Sequence, residues 1–132
     1  MKRIAALLVV LAAATAVAAA GASSSTRVVG VKLIEFKLIP AVKTAPPGKV
    51  TFVVRNAGKI THEFVVIRTA KPAGKLLKSA EADEAGAVGE IGDLEAGTTR
   101  KLTLTLKKGH YALICNLPGH YKAGQYADFV VR

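Results

Sequence analysis

From Val28 onward, apolar and polar residues take turns along the chain. Val29, Val31, Leu33, Ile34, Phe36 and Leu38 are interleaved with charged or small residues as far as Ile39. That alternation predicts one or two half-buried strands with a bulge at Leu33–Ile34. Pro46-Pro47-Gly48 predicts a turn. Val50–Asn56 is β-branched and aromatic and ends in a second turn at Asn56-Ala57-Gly58, and Glu63–Thr69 repeats the strand pattern. Arg100–Leu106 alternates without a break, with Leu102, Leu104 and Leu106 on one side and Thr103 and Thr105 on the other. Lys107-Lys108-Gly109 predicts a hairpin turn, His110–Cys115 the next strand and Tyr126–Arg132 the last. Residues 71–92 break the pattern. They are rich in Ala, Gly, Glu and Lys, which predicts a surface excursion with a short helix at 75–85, followed by a turn over Gly92–Gly97. About seven short strands divided by turns predict an all-β antiparallel sandwich.

The N-terminus follows a different rule. Lys2 and Arg3 precede an uncharged Ala/Val/Leu-rich stretch from Ile4 to Ala20, and small residues continue through Gly21, Ala22 and Ser23. This is the order of an export signal, with cleavage after Ala20 or Ala22. An uncleaved anchor is the alternative, since a stretch of about 17 residues is near the lower limit of a membrane span. The expected division is a signal over residues 1–22, a flexible lead over 23–27 and one domain over 28–132. The domain is expected in an exported compartment, periplasmic or extracellular.

Charge and cysteine usage narrow the function. The 132 residues carry a formal net charge of +10. Without Lys2 and Arg3 the balance is 17 basic against 9 acidic residues, or +8. Such a surface attracts acidic proteins or an anionic membrane surface. Nucleic acid is not the expected partner, because Trp is absent and few aromatics offer a stacking platform. Cys115 is the single cysteine, so an internal disulfide is excluded. In an oxidising compartment a lone thiol is a liability unless something occupies it, and a metal ion would.

The run Cys115-Asn116-Leu117-Pro118-Gly119-His120-Tyr121-Lys122-Ala123-Gly124-Gln125 offers one sulfur, one imidazole and one amide on a tight Pro-Gly turn. With His62, at a loop-to-strand junction upstream, it supplies one thiolate and two imidazoles. That is the donor set of a mononuclear blue-copper site, in which a weak axial Met, Gln or backbone oxygen completes the coordination. Gln125 is the candidate axial donor, the alternative being a hydrogen bond within its loop. His110 is the remaining histidine. It lies five residues before Cys115 in one strand, and an odd separation places it on the opposite face of the sheet. Tyr111 shares the direction of Leu113 and Cys115 and is expected in the core.

The segment from Gly109 to His120, followed by Ala123-Gly124-Gln125, resembles the C-terminal copper loop of the cupredoxins. Asn56-Ala57-Gly58 followed by Thr61-His62-Glu63-Phe64 is similar to that family's upstream ligand segment. The resemblance implies a Greek-key β-sandwich and a type 1 copper electron carrier with equatorial ligands His62, Cys115 and His120. It departs from the common pattern at Gln125, where most members carry Met and stellacyanin-like members carry Gln. Glu63 departs too, from the Asn frequent after the first histidine, yet its backbone N–H remains able to serve the cysteine sulfur.

The expected function is therefore an exported one-electron carrier, monomeric and not an enzyme, that binds one copper ion cycling between Cu(I) and Cu(II). It would dock redox proteins, acidic ones in particular, through an apolar rim of Leu117, Pro118, Tyr121 and Ala123 around His120. A copper carrier or chaperone with the same ligands is the alternative, weakened by the lack of further Met or Cys donors. A Cys–His nucleophile is the third reading, and neither an orienting Asn/Asp nor an oxyanion loop supports it.

Overall fold

The computed structural model of the protein describes residues 25–132; the expected signal lies outside them. Eleven strands follow in order: β1 (Arg27–Ile34), β2 (Lys37–Pro40), β3 (Thr44–Ala45), β4 (Gly48–Asn56), β5 (His62–Arg68), β6 (Leu77–Lys78), β7 (Glu81–Ala82), β8 (Ala87–Leu94), β9 (Thr99–Leu106), β10 (Gly109–Ile114) and β11 (Tyr126–Val131). One sheet runs β2-β1-β4-β9 and the other β3-β11-β10-β5-β8, while β6 and β7 form a separate small hairpin. Among the described residues no helix is long and apolar enough to cross a membrane.

The core lies between the two larger sheets, where alternation along each strand directs it. Val29, Val31 and Leu33 of β1 and Val50, Phe52 and Val54 of β4 meet Phe64 and Val66 of β5, Tyr111 and Leu113 of β10 and Phe129 of β11. Phe52 touches two rings across the gap, Phe64 at 5.3 Å and Phe129 at 5.5 Å between centroids. Such pairs add about 0.5–1.5 kcal/mol each beyond the burial of their area.

Four details differ from the expected pattern. β1 runs parallel to β4, and β3 runs parallel to β11, so the sandwich is mixed rather than wholly antiparallel. The chain visits the opposite sheet through β3 before it returns as β4, and that crossing aligns β4 with β1. The Leu33–Ile34 bulge is instead the end of a strand, and the chain reverses at Glu35-Phe36, with Phe36 at φ +59°. The helix expected over 75–85 is one 3₁₀ turn (Ala73–Lys75) and the β6–β7 hairpin. Gly92, Asp93 and Leu94, expected in a turn, close the strand β8. Glycine hides that strand from a propensity reading but suits it: a Cβ on Gly89 would come within 2.7 Å of Leu104.

The segment after β5 has a larger role than a surface excursion. Its Ala73, Leu76 and Ala82 are buried with Val65, Ile67, Ala112, Ile114 and Tyr121 in a second core. That core covers the outer face of β5 and β10. Both faces of this strand pair are therefore buried, which accounts for the near-continuous apolar runs Phe64–Ile67 and Tyr111–Ile114.

Candidate metal centre

His62 opens β5 and keeps the inward direction of Phe64 and Val66. Cys115 follows the last residue of β10 and keeps the inward direction of Tyr111 and Leu113. The two strands are hydrogen-bonded neighbours, with Ile114 opposite Val65, so both side chains reach the same end of the core. The loop from β10 to β11 brings the others back. The Cys115 N–H donates to the Gln125 carbonyl at 3.0 Å, the His120 N–H to Leu117 at 2.9 Å, and the Gln125 N–H to His120 at 3.2 Å. Gly119 makes the reversal at φ +82°, where a side chain would be strained.

Three donor atoms converge as a result. His62 Nδ1 and His120 Nδ1 are 3.2 Å apart, and Cys115 Sγ lies 3.4 Å from His120 Nδ1 and 4.0 Å from His62 Nδ1. Donors each about 2.0–2.3 Å from one ion stand about 3.3–3.8 Å from one another, close to what is found. His62 and Cys115 are fully buried, and His120 is half-buried. Gln125 is fully buried beside them. Its Nε2 lies 3.1 Å from His62 Nδ1 and donates to the Ile34 carbonyl at 3.1 Å. Its Oε1 has no hydrogen-bond partner among the described residues. A buried oxygen without a donor is costly unless a cation or water meets it; the three converging donors are what fit a cation. A soft sulfur with two imidazoles suits copper.

The electrostatics agree. Burial pushes the His62 pKa down and the neighbouring His120 pushes it further, with Glu35 and Gln125 opposing; the ring is held neutral, the form that binds a metal. Burial raises the Cys115 thiol pKa, while the N–H groups of Glu63 and Leu117 pull it back. An arriving cation must displace the thiol proton, so uptake releases acid. The Glu63 N–H sits 3.4 Å from Cys115 Sγ, the service expected of that backbone group.

Several residues support the site through contacts that the sequence did not reveal. Asn56 is buried and holds the loop before His62: its Nδ2 donates to Ile60 and Leu94 carbonyls at 2.7 and 2.8 Å, and its Oδ1 accepts from Gly58 N–H at 2.9 Å. Asn116 binds the excursion to the metal loop, accepting from Ala82 N–H at 2.8 Å and donating to the Ala82 carbonyl and Glu84. Glu35 and Phe36 approach the two histidine rings from the β1–β2 turn. Tyr121, expected on an exposed rim, is buried. Its hydroxyl donates to the Ala73 carbonyl at 2.6 Å and accepts from Leu76 N–H at 2.8 Å, so it joins the second core. His110 lies away from the cluster, with Nδ1 at 2.8 Å from the Thr69 carbonyl and Nε2 at 2.8 Å from Asp128.

The family model of the cupredoxin-like domain matches residues 4–126. The chain belongs to the cupredoxin-like family. Among its relatives, the copper-resistant cuproprotein CopI of Rubrivivax gelatinosus is 34% identical over 102 residues, covering 70% of this chain and 58% of CopI. The cupredoxin thus spans less than two thirds of that relative's length. Among solved structures, the reduced auracyanin of Roseiflexus castenholzii superposes with a TM-score of 0.62 at 21% identity, covering 83% of this chain and 98% of its own. Auracyanin A of Chloroflexus aurantiacus, a "blue" copper protein, gives 0.61 at 19% identity, covering 82% and 100%. At these identities the likeness concerns the fold.

Proposed function

We propose that this cupredoxin is an exported, monomeric type 1 copper protein that passes single electrons between redox partners. The convergence of His62, Cys115 and His120 on one point carries the reading. These three residues would hold one copper ion, with the buried Gln125 amide as the candidate fourth donor. Bound copper supplies a one-electron couple that thiolate and imidazole tolerate in both states. The fold keeps the donors in place through that change. His62 and Cys115 sit on two paired strands, and the His120 loop is pinned by its own hydrogen bonds. The half-buried His120 ring is the route for the electron. Exposed Pro118 and Ala123 and half-buried Leu117 flank it and form a small surface for brief docking. The basic surface steers acidic partners, so exchange with one slows as salt rises, screening acting over about 10 Å at 0.1 M.

A copper carrier in the exported space is the second reading, and the likeness to CopI favours it. Metal analysis with a visible spectrum separates the two. An electron carrier holds one copper per chain, shows an intense thiolate-to-Cu(II) band, loses that band in Cys115→Ser and keeps its copper through reduction and reoxidation. Copper without the band, or its release to a chelator on reduction, would favour the carrier.

A further inference from the structure

The turn Ile34–Lys37 supplies no donor, yet it touches three of the four residues assigned above. The carbonyls of Ile34 and Lys37 face Gln125 Nε2 at 3.1 and 3.5 Å. The Phe36 ring stands edge-on to His120, centroids 5.4 Å apart. Glu35 reaches His62: its Oε1 is 3.4 Å from His62 Nε2. That nitrogen is fully buried and has no hydrogen-bond partner of good geometry among the described residues. Glu35 is therefore the acceptor nearest to the one His62 nitrogen that faces away from the donor cluster.

The carboxylate is itself anchored. Lys59 N–H donates to Glu35 Oε1 at 2.7 Å and Ile60 N–H at 3.2 Å. Both belong to the loop that delivers His62, so one oxygen ties the β1–β2 turn to the histidine's own approach. The close fit also requires Gly58, because a Cβ there would collide with Glu35 Oε1.

We propose that Glu35 is a positioning residue for His62, holding the proton on Nε2 so that Nδ1 is bare toward the metal, and favouring the oxidised ion by its charge. The redox part rests on the copper reading above; the tautomer part does not. Neutral imidazole carries one proton on one nitrogen, and an acceptor beside Nε2 selects that tautomer. Carboxylate partners of this kind fix ring orientation and raise ligand basicity. A negative charge behind a ligand stabilises the more positive metal state.

Three substitutions and two readouts test this. Glu35→Gln removes the charge and keeps an oxygen for Lys59 and Ile60. Gly58→Ala changes no charge and pushes the carboxylate aside. In the copper-loaded protein, Glu35→Gln is expected to shift the one-electron equilibrium toward Cu(I) by about threefold to tenfold, up to about 59 mV, with Gly58→Ala shifting it the same way and less. In the metal-free protein, His62 ¹⁵N shifts are expected to report Nε2–H in the wild type and a mixture of tautomers in Glu35→Ala. Unchanged potentials in both Glu35→Gln and Gly58→Ala would overturn the redox role, even if melting temperatures fell. An unchanged tautomer in Glu35→Ala would overturn the positioning role. A wild type that takes up no copper would sink the copper reading alone, since the tautomer is measured without metal.

Discussion

His62 and His110 occupy opposite faces of the same strand pair, and each has a carboxylate near Nε2. The surroundings of the other nitrogen separate them. His110 has both nitrogens engaged, one by the Thr69 carbonyl and one by Asp128, each at 2.8 Å. His62 meets its carboxylate at the longer distance of 3.4 Å, and its Nδ1 faces a thiol, a second imidazole and an amide. One histidine is finished as a structural cross-link; the other leaves an atom to be completed. A carboxylate beside a histidine therefore does not mark a metal ligand. A buried nitrogen aimed at other donors does.

The sharpest way to break that contrast is to delete each ring. His62→Ala is expected to abolish the visible copper band, whereas His110→Ala leaves band and stoichiometry unchanged. Loss of metal in His110→Ala would reverse the assignment. Next in size is Gln125→Met. An amide oxygen is harder than a thioether and favours Cu(II), so the substitution is expected to raise the potential, by about 59 mV for a tenfold change, with copper retained. Equal potentials in Gln125→Met, Gln125→Ala and wild type would show that the side chain makes no axial contact.

The structural histidine has its own test. Asp128 accepts from His110 and, at 2.7 Å, from Ala73 N–H. Asp128→Ala is expected to cost about 1–2 kcal/mol in denaturant unfolding while the copper spectrum stays constant. A spectral change would mean that the outer face is coupled to the site. The smallest effect is expected at Glu63, beside His62. Burial raises its pKa, and Glu84, Glu90 and Asp93 add to the rise, while the Asn116 N–H lowers it. The folded state then holds its proton more tightly than the unfolded chain, so stability falls as pH rises from the ordinary carboxylate value through the raised one. Glu63→Gln, which can still accept from Asn116, is expected to be the more stable protein at neutral pH when metal-free, the advantage vanishing below about pH 4. An advantage independent of pH would show that the charge is not its cause.

The sequence made the donors legible because chemistry restricts them to few residue types at short spacing. Cys115 and His120 share one loop, and a second histidine was needed. The strands with strict alternation, β1, β4 and β9, were equally legible. β8 was not, because its glycines and acids serve a close approach to Leu104 and a solvent edge rather than a pleated apolar face. Tyr121 was misplaced for a related reason. Its neighbours Lys122 and Ala123 are exposed, and the partners of its buried hydroxyl, Ala73 and Leu76, lie far off in sequence. Glu35 and Phe36 looked like a continuing strand, since nothing local announces a turn there and both act across long sequence separations.

The β1–β2 turn also has a consequence for how such a protein can diversify. Ligands are constrained by the ion, and a change at any of them risks losing it. Residues 34–37 supply no donor, yet they press on His62, His120 and Gln125 together. On the role proposed for Glu35, four consecutive positions form a tuning module that selection, or an engineer, can exchange as one cassette to set a working voltage while the coordinating residues stay untouched.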